Sequence, residues 1–521
     1  MQEHEYDVVV VGFGPGGEVL AATLGRAGHR VLAVEKASNL YGLPRMTTLD
    51  GELARVLTNL CDGEHALRNA MPLTEFRMVG ADGQPSPAID WRGDRGGFPA
   101  HMAMHQPDIE EALAERIASY DNVDVRWSTQ ATDFRQTGDG VEVTVEPRTG
   151  EGEQQVVTAR YLVGFDGSSS GVREALGIER EVLRQHEDWW VLTDFDVVQP
   201  LPDGFDEAIG TMDPRRPHFF GLAGVGRCRS DVKVMPGEVL EEEKTEERAL
   251  QLMEEHHGIP RDHLRMTRQV AYKFRSEMAH RYRVGNVLIG GDAAHSMTPF
   301  MGQGACCAMR DGINLGWKLS AVLSGAADET LLDTYEEERV PHAAFFVHGS
   351  LATWAALEEP DPEKAAARDH ALRAGLVPPP PPFPGVVGGV TRRAADDAVA
   401  GALAPQGRVR RDGQEGTFDE VTRPVFALVS SVPLDDVLTD ERRDFLSSVG
   451  CVVAVVGEGG DVEDLDGVYG RYLDEHGIVA FLTRPDFYQF GSARGADEVG
   501  QVVDDLQVAL APSRSRSVEL V

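Results

Sequence analysis

Glycines at positions 12, 14 and 17, directly behind the run Tyr6-Asp7-Val8-Val9-Val10-Val11, constrain this chain more than any other feature. The run reads as a strand. The stretch 17–26 then has helix-compatible spacing, and Arg30-Val31-Leu32-Ala33-Val34-Glu35 reads as a second strand. At GxGxxG spacing, Gly12 permits a tight turn, Gly14 lets the backbone approach a pyrophosphate, and Gly17 allows close helix–strand packing. The N-terminus of the helix offers unpaired N–H groups to phosphate. Glu35 ends the second strand, where a carboxylate accepts ribose hydroxyls, and so favours FAD or NAD over a 2′-phosphorylated cofactor.

A second loop of this kind would mark a separate nicotinamide domain. Gly457-Glu458-Gly459-Gly460 follows a strand, but Val462 stands where the last glycine would fall, so it reads as an ordinary loop. With 521 residues the chain is long enough for two to four packing units. A net charge of −35 argues against nucleic acid or an anionic membrane as partner. No apolar run approaches the ~18 residues of a membrane helix. The acidic start Met1-Gln2-Glu3-His4-Glu5 resembles no secretory signal. Cys61, Cys228, Cys306, Cys307 and Cys451 form neither a CxxC nor a metal-ligand pattern, so no metal is expected and the reduced cytoplasm is the expected location. Vicinal Cys306-Cys307 reads as packing in a first helical turn.

Further along, 107–119 reads as a helix, with strands near 123–128, 141–146 and 156–165. A β-rich segment spans about 186–236, and the acidic run 238–257 reads as a solvated helix. Val287-Leu288-Ile289 is a short buried strand ending in Gly290-Gly291-Asp292-Ala293-Ala294-His295, and the pattern continues through Pro299 to Gly302-Gln303-Gly304. Helices are expected at 304–322 and 331–349. The run Pro378–Pro382 makes a stiff linker, and a smaller α/β unit follows it.

The segment GDAAH…P…GQG, followed by Arg310-Asp311 and Asn314-Leu315-Gly316-Trp317-Lys318-Leu319, resembles the single-component FAD-dependent aromatic hydroxylases. Among these it is most like those acting on 3-(3-hydroxyphenyl)propionate and related phenols. The resemblance implies that Gly291 and Asp292 meet the flavin ribityl chain. It also implies that the turn Pro299 to Gly304, with Gly302, Gln303 and Gly304, lies against the isoalloxazine ring. Tyr161–Gly167 with Ser170, Val172 and Arg173 resembles the family's DG motif, which implies that Asp166 touches FAD and the transient nicotinamide site. Arg45 and Gln106 match positions that contact the phosphate and ribose regions. Pro99-Ala100-His101 departs from the basic residues of relatives, which weakens any carboxylate-anchoring role there. Arg484–Gly491 resembles the final hairpin of the thioredoxin-like appendage of phenol hydroxylases, without CxxC.

The expected fold is α/β. A discontinuous Rossmann-like FAD-binding domain (1–180 and 281–377) encloses an inserted β-rich substrate domain (181–280). A Pro-rich linker (378–395) leads to a thioredoxin-like domain (396–521). The resemblance implies FAD as cofactor, NAD(P)H as transient co-substrate and O₂ addition as a C4a-hydroperoxide that hydroxylates a small phenolic or polyketide-like aromatic. Baeyer–Villiger or ring-cleaving oxidation, and a flavin-binding partner without turnover, stay open as alternatives, as does a homodimer. Candidate proton-handling residues are His295, Tyr272 and His218, with Pro299 at the ring. Phe219, Phe220 and Trp190 are candidates for an apolar wall.

Overall fold

The computed structural model describes residues 4–148, 152–394, 397, 399–423, 425–457 and 459–511. Its central sheet is built on the strand Tyr6–Val11, whose Val8, Val9 and Val10 are fully buried. Such continuous burial suits a parallel strand covered on both faces. Tyr6–Val11 pairs in parallel with Val31–Val34 on one side and Gln155–Gly164 on the other. Val123–Arg126 extends the sheet beyond Val31–Val34. The last residues of Gln155–Gly164 also pair in parallel with Val287–Ile289, which brings the second glycine-rich segment beside the first.

The helix Pro15–Arg26 packs on the helix Gly304–Leu323 through missing side chains. A Cβ at Gly312 would strike the Gly16 carbonyl, and one at Gly316 would press on Thr23. Side-chain-free surfaces let the two backbones approach more closely than ordinary helix packing allows.

A seven-stranded sheet runs Leu264–Tyr272, Trp190–Val197, Arg227–Lys233, His218–Leu222, Ala208–Thr211, Glu75–Val79 and Pro85–Asp90. The last two strands come from well before position 181. They join by parallel pairing of Ala208–Thr211 with Glu75–Val79. The outer face carries Phe195, Ile209, Phe220 and Cys228 against Ala249 and Met253. These last two belong to the helix Glu246–His257, so the acidic run is less solvated than its charge suggests. It breaks at Lys244, restarts with Thr245 accepting from Arg248 N, and buries one side. The opposite face carries Trp190 and Leu192 against Phe274 and Trp354.

Beyond the exposed Pro378–Pro382 run, a four-stranded sheet is ordered Val452–Val455, Ala427–Ser430, Ala480–Thr483, Gln489–Ala493. The helices Asp440–Ser448, Val468–His476 and Ala496–Leu510 accompany it. Glu458, within the loop read from sequence, lies outside the described residues, as do Met1–Glu3 and the end of the chain from 512.

Buried charge joins this unit to the rest. Arg484 donates to both carboxylate oxygens of Glu338 and to Asp486, while Asn314, Trp317 and Lys318 of the long helix reach the same two acids. All of these charged side chains are essentially inaccessible. Breaking such a buried pair leaves an uncompensated charge and costs about 3–5 kcal/mol, against at most about 1 kcal/mol for a pair near the surface. Urea unfolding of Arg484→Ala is therefore expected to show a loss of about 3–5 kcal/mol. Arg442→Ala, which severs the accessible pair with Asp504, should stay within about 1 kcal/mol of wild type.

Candidate functional site

Both glycine signatures converge on Phe165. A Cβ at Gly12 would collide with the Phe165 carbonyl, and Cβ atoms at Gly16 and Gly290 would meet its ring at 2.7 and 2.6 Å. Gly291 would meet the same ring at 3.2 Å. One phenyl ring thus fills the space that both turns vacate, and it fixes their separation. No periodicity singles out Phe165, because its partners come from two distant parts of the chain.

The three glycines of the first signature divide their work. Gly12 has φ +99°, a left-handed conformation that disfavours side chains. A Cβ at Gly17 would collide with the Gly12 carbonyl, whereas one at Gly14 would meet nothing within 4 Å. Gly14 therefore faces open space ahead of a helix whose N-terminus has no side-chain cap. Glu35 accepts hydrogen bonds from Phe13 N and Ala37 N, both at 2.9 Å, which anchors the acid at the loop. Asp166 accepts from Val172 N through Oδ2, while its buried Oδ1 has no partner.

In the second signature, Asp311 organises the turn. Its Oδ2 accepts from Gly291 N at 2.8 Å and lies 2.7 Å from His295 Nε2, and its Oδ1 accepts from Arg339 at 2.7 Å. Burial opposes the Asp311 charge, but His295 and Arg339 outweigh it and bring the carboxyl down to about 2. Asp292, by contrast, is exposed and makes no hydrogen bond to described residues. The crowded walls around it raise its carboxyl above the usual range, with His295 and Arg45 opposing. Pro299 opens the turn Pro299–Met301, and Gly302 follows with φ +63°, where a Cβ would collide with Thr48 Oγ1. The helix beginning at Gly304 also lacks a side-chain cap, leaving first-turn N–H groups toward this turn.

Several expected residues face elsewhere. Gln303 is buried and accepts from Arg310. Gln106 is buried as well: its Oε1 holds Arg45 N and Met46 N at 2.8 Å, so it shapes the Arg45 loop. The Arg45 guanidinium, itself exposed, rests 4.1 Å from the Tyr41 ring centre. His295 is enclosed with Asp311. His218 lies on the outer face of the seven-stranded sheet beside His256 and His257, and burial lowers its pKa to about 4. Phe220 shares that outer face with Phe205 and His257. Tyr272 is 41% exposed, and its hydroxyl accepts from Arg268.

The inner face of the sheet looks toward the turn. Trp190 and Phe274 meet Phe300, in the middle of Pro299–Met301, at 5.1 and 5.7 Å between ring centres. Aromatic contacts continue from Phe219 through Phe76 and Trp91 to His101, and on to Phe383 beyond the proline run. Such a surface offers a planar ring apolar contact and keeps water away.

Together these residues fit FAD. Open space at Gly14 and an uncapped helix suit the pyrophosphate, and Glu35 suits the adenosine ribose. Asp292 and the orphaned Asp166 Oδ1 offer acceptors for ribityl or ribose hydroxyls, and the second uncapped helix lies beside the Pro299–Gly304 turn. The division of labour among the glycines makes a sharp prediction. Gly14→Ala should leave the melting of the apoprotein within about 0.5 kcal/mol of wild type yet weaken FAD in a fluorescence titration. Gly17→Ala should destabilise the apoprotein itself by about 1–3 kcal/mol through overpacking.

Comparison with known proteins agrees with this geometry. A family model described as FAD binding domain matches residues 5–350, and one described as HcaD C-terminal domain matches residues 401–509. The chain is 32% identical over 528 residues to a probable NADH-specific resorcinol 4-hydroxylase of Rhodococcus jostii (strain RHA1), covering 98% of this chain and 96% of that protein. It is also 32% identical over 366 residues to the 3-(3-hydroxy-phenyl)propionate/3-hydroxycinnamic acid hydroxylase of Escherichia coli (strain K12). That match covers 70% of this chain and 65% of the relative. Aklavinone-11 hydroxylase, solved with FAD and aklavinone, has a similar fold, with a TM-score of 0.77 at 24% identity over 98% of this chain and 100% of that one. The chain belongs to the FAD-binding domain family and is an FAD-dependent oxidoreductase.

Proposed function

We propose that this protein hydroxylates the ring of a small phenol, consuming NAD(P)H and O₂. The observation that carries this reading is the position of the aromatic inner face of the seven-stranded sheet directly against the Pro299–Gly304 turn, at Phe300. When bound, FAD supplies the redox and oxygen-transfer chemistry. The protein must hold the flavin, exclude water and orient the substrate ring.

The uncapped helix at Gly304 directs backbone N–H dipoles at the turn, an arrangement suited to negative charge on the pyrimidine side of a flavin. Asp292 accepts a hydroxyl of the ribityl chain, and Arg45 pairs with phosphate once the flavin is in place. His295 acts as a positioning residue: through Asp311 it braces the Gly290–Asp292 turn and has no route to substrate. The seven-stranded sheet acts as the substrate platform, and the four-stranded C-terminal unit as a thioredoxin-like appendage that braces the flavin domain through Arg484 and Glu338. Without a CxxC it carries no disulfide exchange.

The yellow holoenzyme should oxidise NADH or NADPH slowly alone and faster when a phenol is added, and the product should gain one oxygen on an intact ring by mass. Peroxide measured alongside reports uncoupled turnover. Lactone or cleavage products would instead establish ring-opening oxidation. No stimulation by any phenol would establish a flavin-binding protein without turnover. His295→Asn should lower FAD affinity more than it changes turnover of the enzyme that retains FAD.

A further inference from the structure

We propose that Asp231 is the group that recognises the substrate, accepting the hydroxyl proton of an uncharged phenol, and that the site disfavours phenols bearing a carboxylate tail. This rests on the aromatic hydroxylase reading above and names the substrate class of the same site.

The placement follows from strand register. Asp231 lies opposite Leu192 on one neighbouring strand and Phe219 on the other, and two residues along its own strand Lys233 lies opposite Trp190. Residues two apart on a strand share a face, so Asp231 shares the face of Trp190 and Leu192. Trp190 meets Phe300 at the flavin turn. On the other side of Asp231, Arg229 reaches the flavin-side loop by donating to the carbonyls of Arg45 and Pro44 at 2.6 and 3.0 Å. Asp231 therefore stands between the two protein segments that flank the expected flavin ring, with Phe219 and Leu192 beside it as apolar walls.

Its hydrogen-bonding state is unusual. Asp231 is 3% exposed, no described residue donates to it, and Oδ1 is wholly buried without a partner. A buried carboxyl group with no donor is costly unless something outside the protein satisfies it. The groups that would otherwise neutralise it are committed elsewhere. Arg229 gives Nε to Asp194 at 2.7 Å and its other nitrogens to the Arg45 and Pro44 carbonyls. Arg268 gives Nη1 to Asp194, Nε to Tyr41 and Nη2 to Tyr272. Lys233 is held by Asp188 and Glu358 at 2.7 and 2.6 Å. His101, at the far end of the aromatic run that starts at Phe219, stacks on Trp91, and burial lowers its pKa, so it adds no positive charge at neutral pH.

The inner face thus offers an unsatisfied acceptor beside Arg229, Arg268 and Lys233, each already held by a carboxylate. A phenolic O–H fits that acceptor, whereas a second carboxylate placed beside Asp231 would meet like charge. In the proton step the phenol O–H bond breaks, an Asp231 carboxyl O–H forms, and the electron pair stays on the phenolate oxygen. From there it delocalises onto the ortho and para carbons, the positions at which an aromatic ring is oxidised. The proton then leaves Asp231 to water after product departs. Burial raises this carboxyl to about 7, with Arg229 lowering it, Asp194 raising it and Arg268 lowering it, so it is poised to exchange a proton near neutrality.

The test uses holoenzyme and reads ligand binding from the perturbation of flavin absorbance, independently of turnover. Resorcinol, its dimethyl ether and 3-(3-hydroxyphenyl)propionate are the probes. Wild type should bind resorcinol more tightly than the propionate, and its resorcinol affinity should fall as pH drops through about 7. Asp231→Asn should weaken resorcinol by at least ~tenfold, which is about 1.4 kcal/mol. It should also flatten the pH dependence and leave the dimethyl ether unchanged. Wild type that prefers the propionate, or an Asn variant that binds resorcinol as wild type does, overturns the proposal. Should the variant lose FAD, the wild-type ranking and its pH dependence decide. A flavin that no phenol perturbs would sink the hydroxylase reading itself, whereas a preference for the propionate would sink this inference alone.

Discussion

The Asp311 carboxylate is the point through which the second half of the site is held. It sits on the helix Gly304–Leu323, takes the Gly291 N–H directly, and balances His295 and Arg339 in a space closed to water. The Arg339 guanidinium, the His295 ring and one backbone donor compensate the cost of burying the carboxylate. In return, the Gly290–Asp292 turn is tied to the helix whose free N-terminus lies at the neighbouring turn. The preceding residue, Arg310, ties the helix to a second segment. It joins Gln303 and Asp50, so that the start of the helix and the segment entering Gly51 move as one. Removing either charge would leave its partners buried and unpaired.

The same helix extends the arrangement outward. Asn314, Trp317 and Lys318, one to two turns further on, meet Glu338 and Asp486, and Arg484 closes the cluster from the C-terminal unit. Tyr488 reaches Glu52 from that unit as well. A smaller unit without redox cysteines thus has a physical reason to be there. It supplies buried counter-charges to the helix that carries the flavin-facing turn. Phe165 is the apolar counterpart of this polar frame, since it sets the distance between the two glycine turns by volume alone.

What could be read from the chain beforehand was whatever depends on neighbours in sequence. The strand–turn–helix around Gly12–Gly17, the helix at 304, and the helices near 107, 440 and 496 follow from spacing and capping over short windows. The turn at Gly12 and the close packing at Gly17 were also legible, because one turn imposes both. Gln303 and His295 were misleading for the opposite reason. Each is polar and stands in a motif that faces the flavin, but each is claimed by an acid or arginine on the following helix. The strands at 75–90 were absent from the reading because they join a sheet whose other members come more than a hundred residues later. His218 was a reasonable suggestion as a histidine on the substrate-side sheet, but strand alternation turns it outward. The same alternation turns Asp231 inward, and one acid in a strand gives no local sign of that.

The most direct test of this account is FAD titration of Asp311→Asn, with circular dichroism to establish that the chain remains folded. Asparagine keeps the shape but loses the charge that balances Arg339 and one of the two acceptor oxygens that Gly291, His295 and Arg339 share. The variant should stay folded and bind FAD at least ~tenfold more weakly, which is about 1.4 kcal/mol. A folded variant that binds FAD as tightly as the wild type would contradict it.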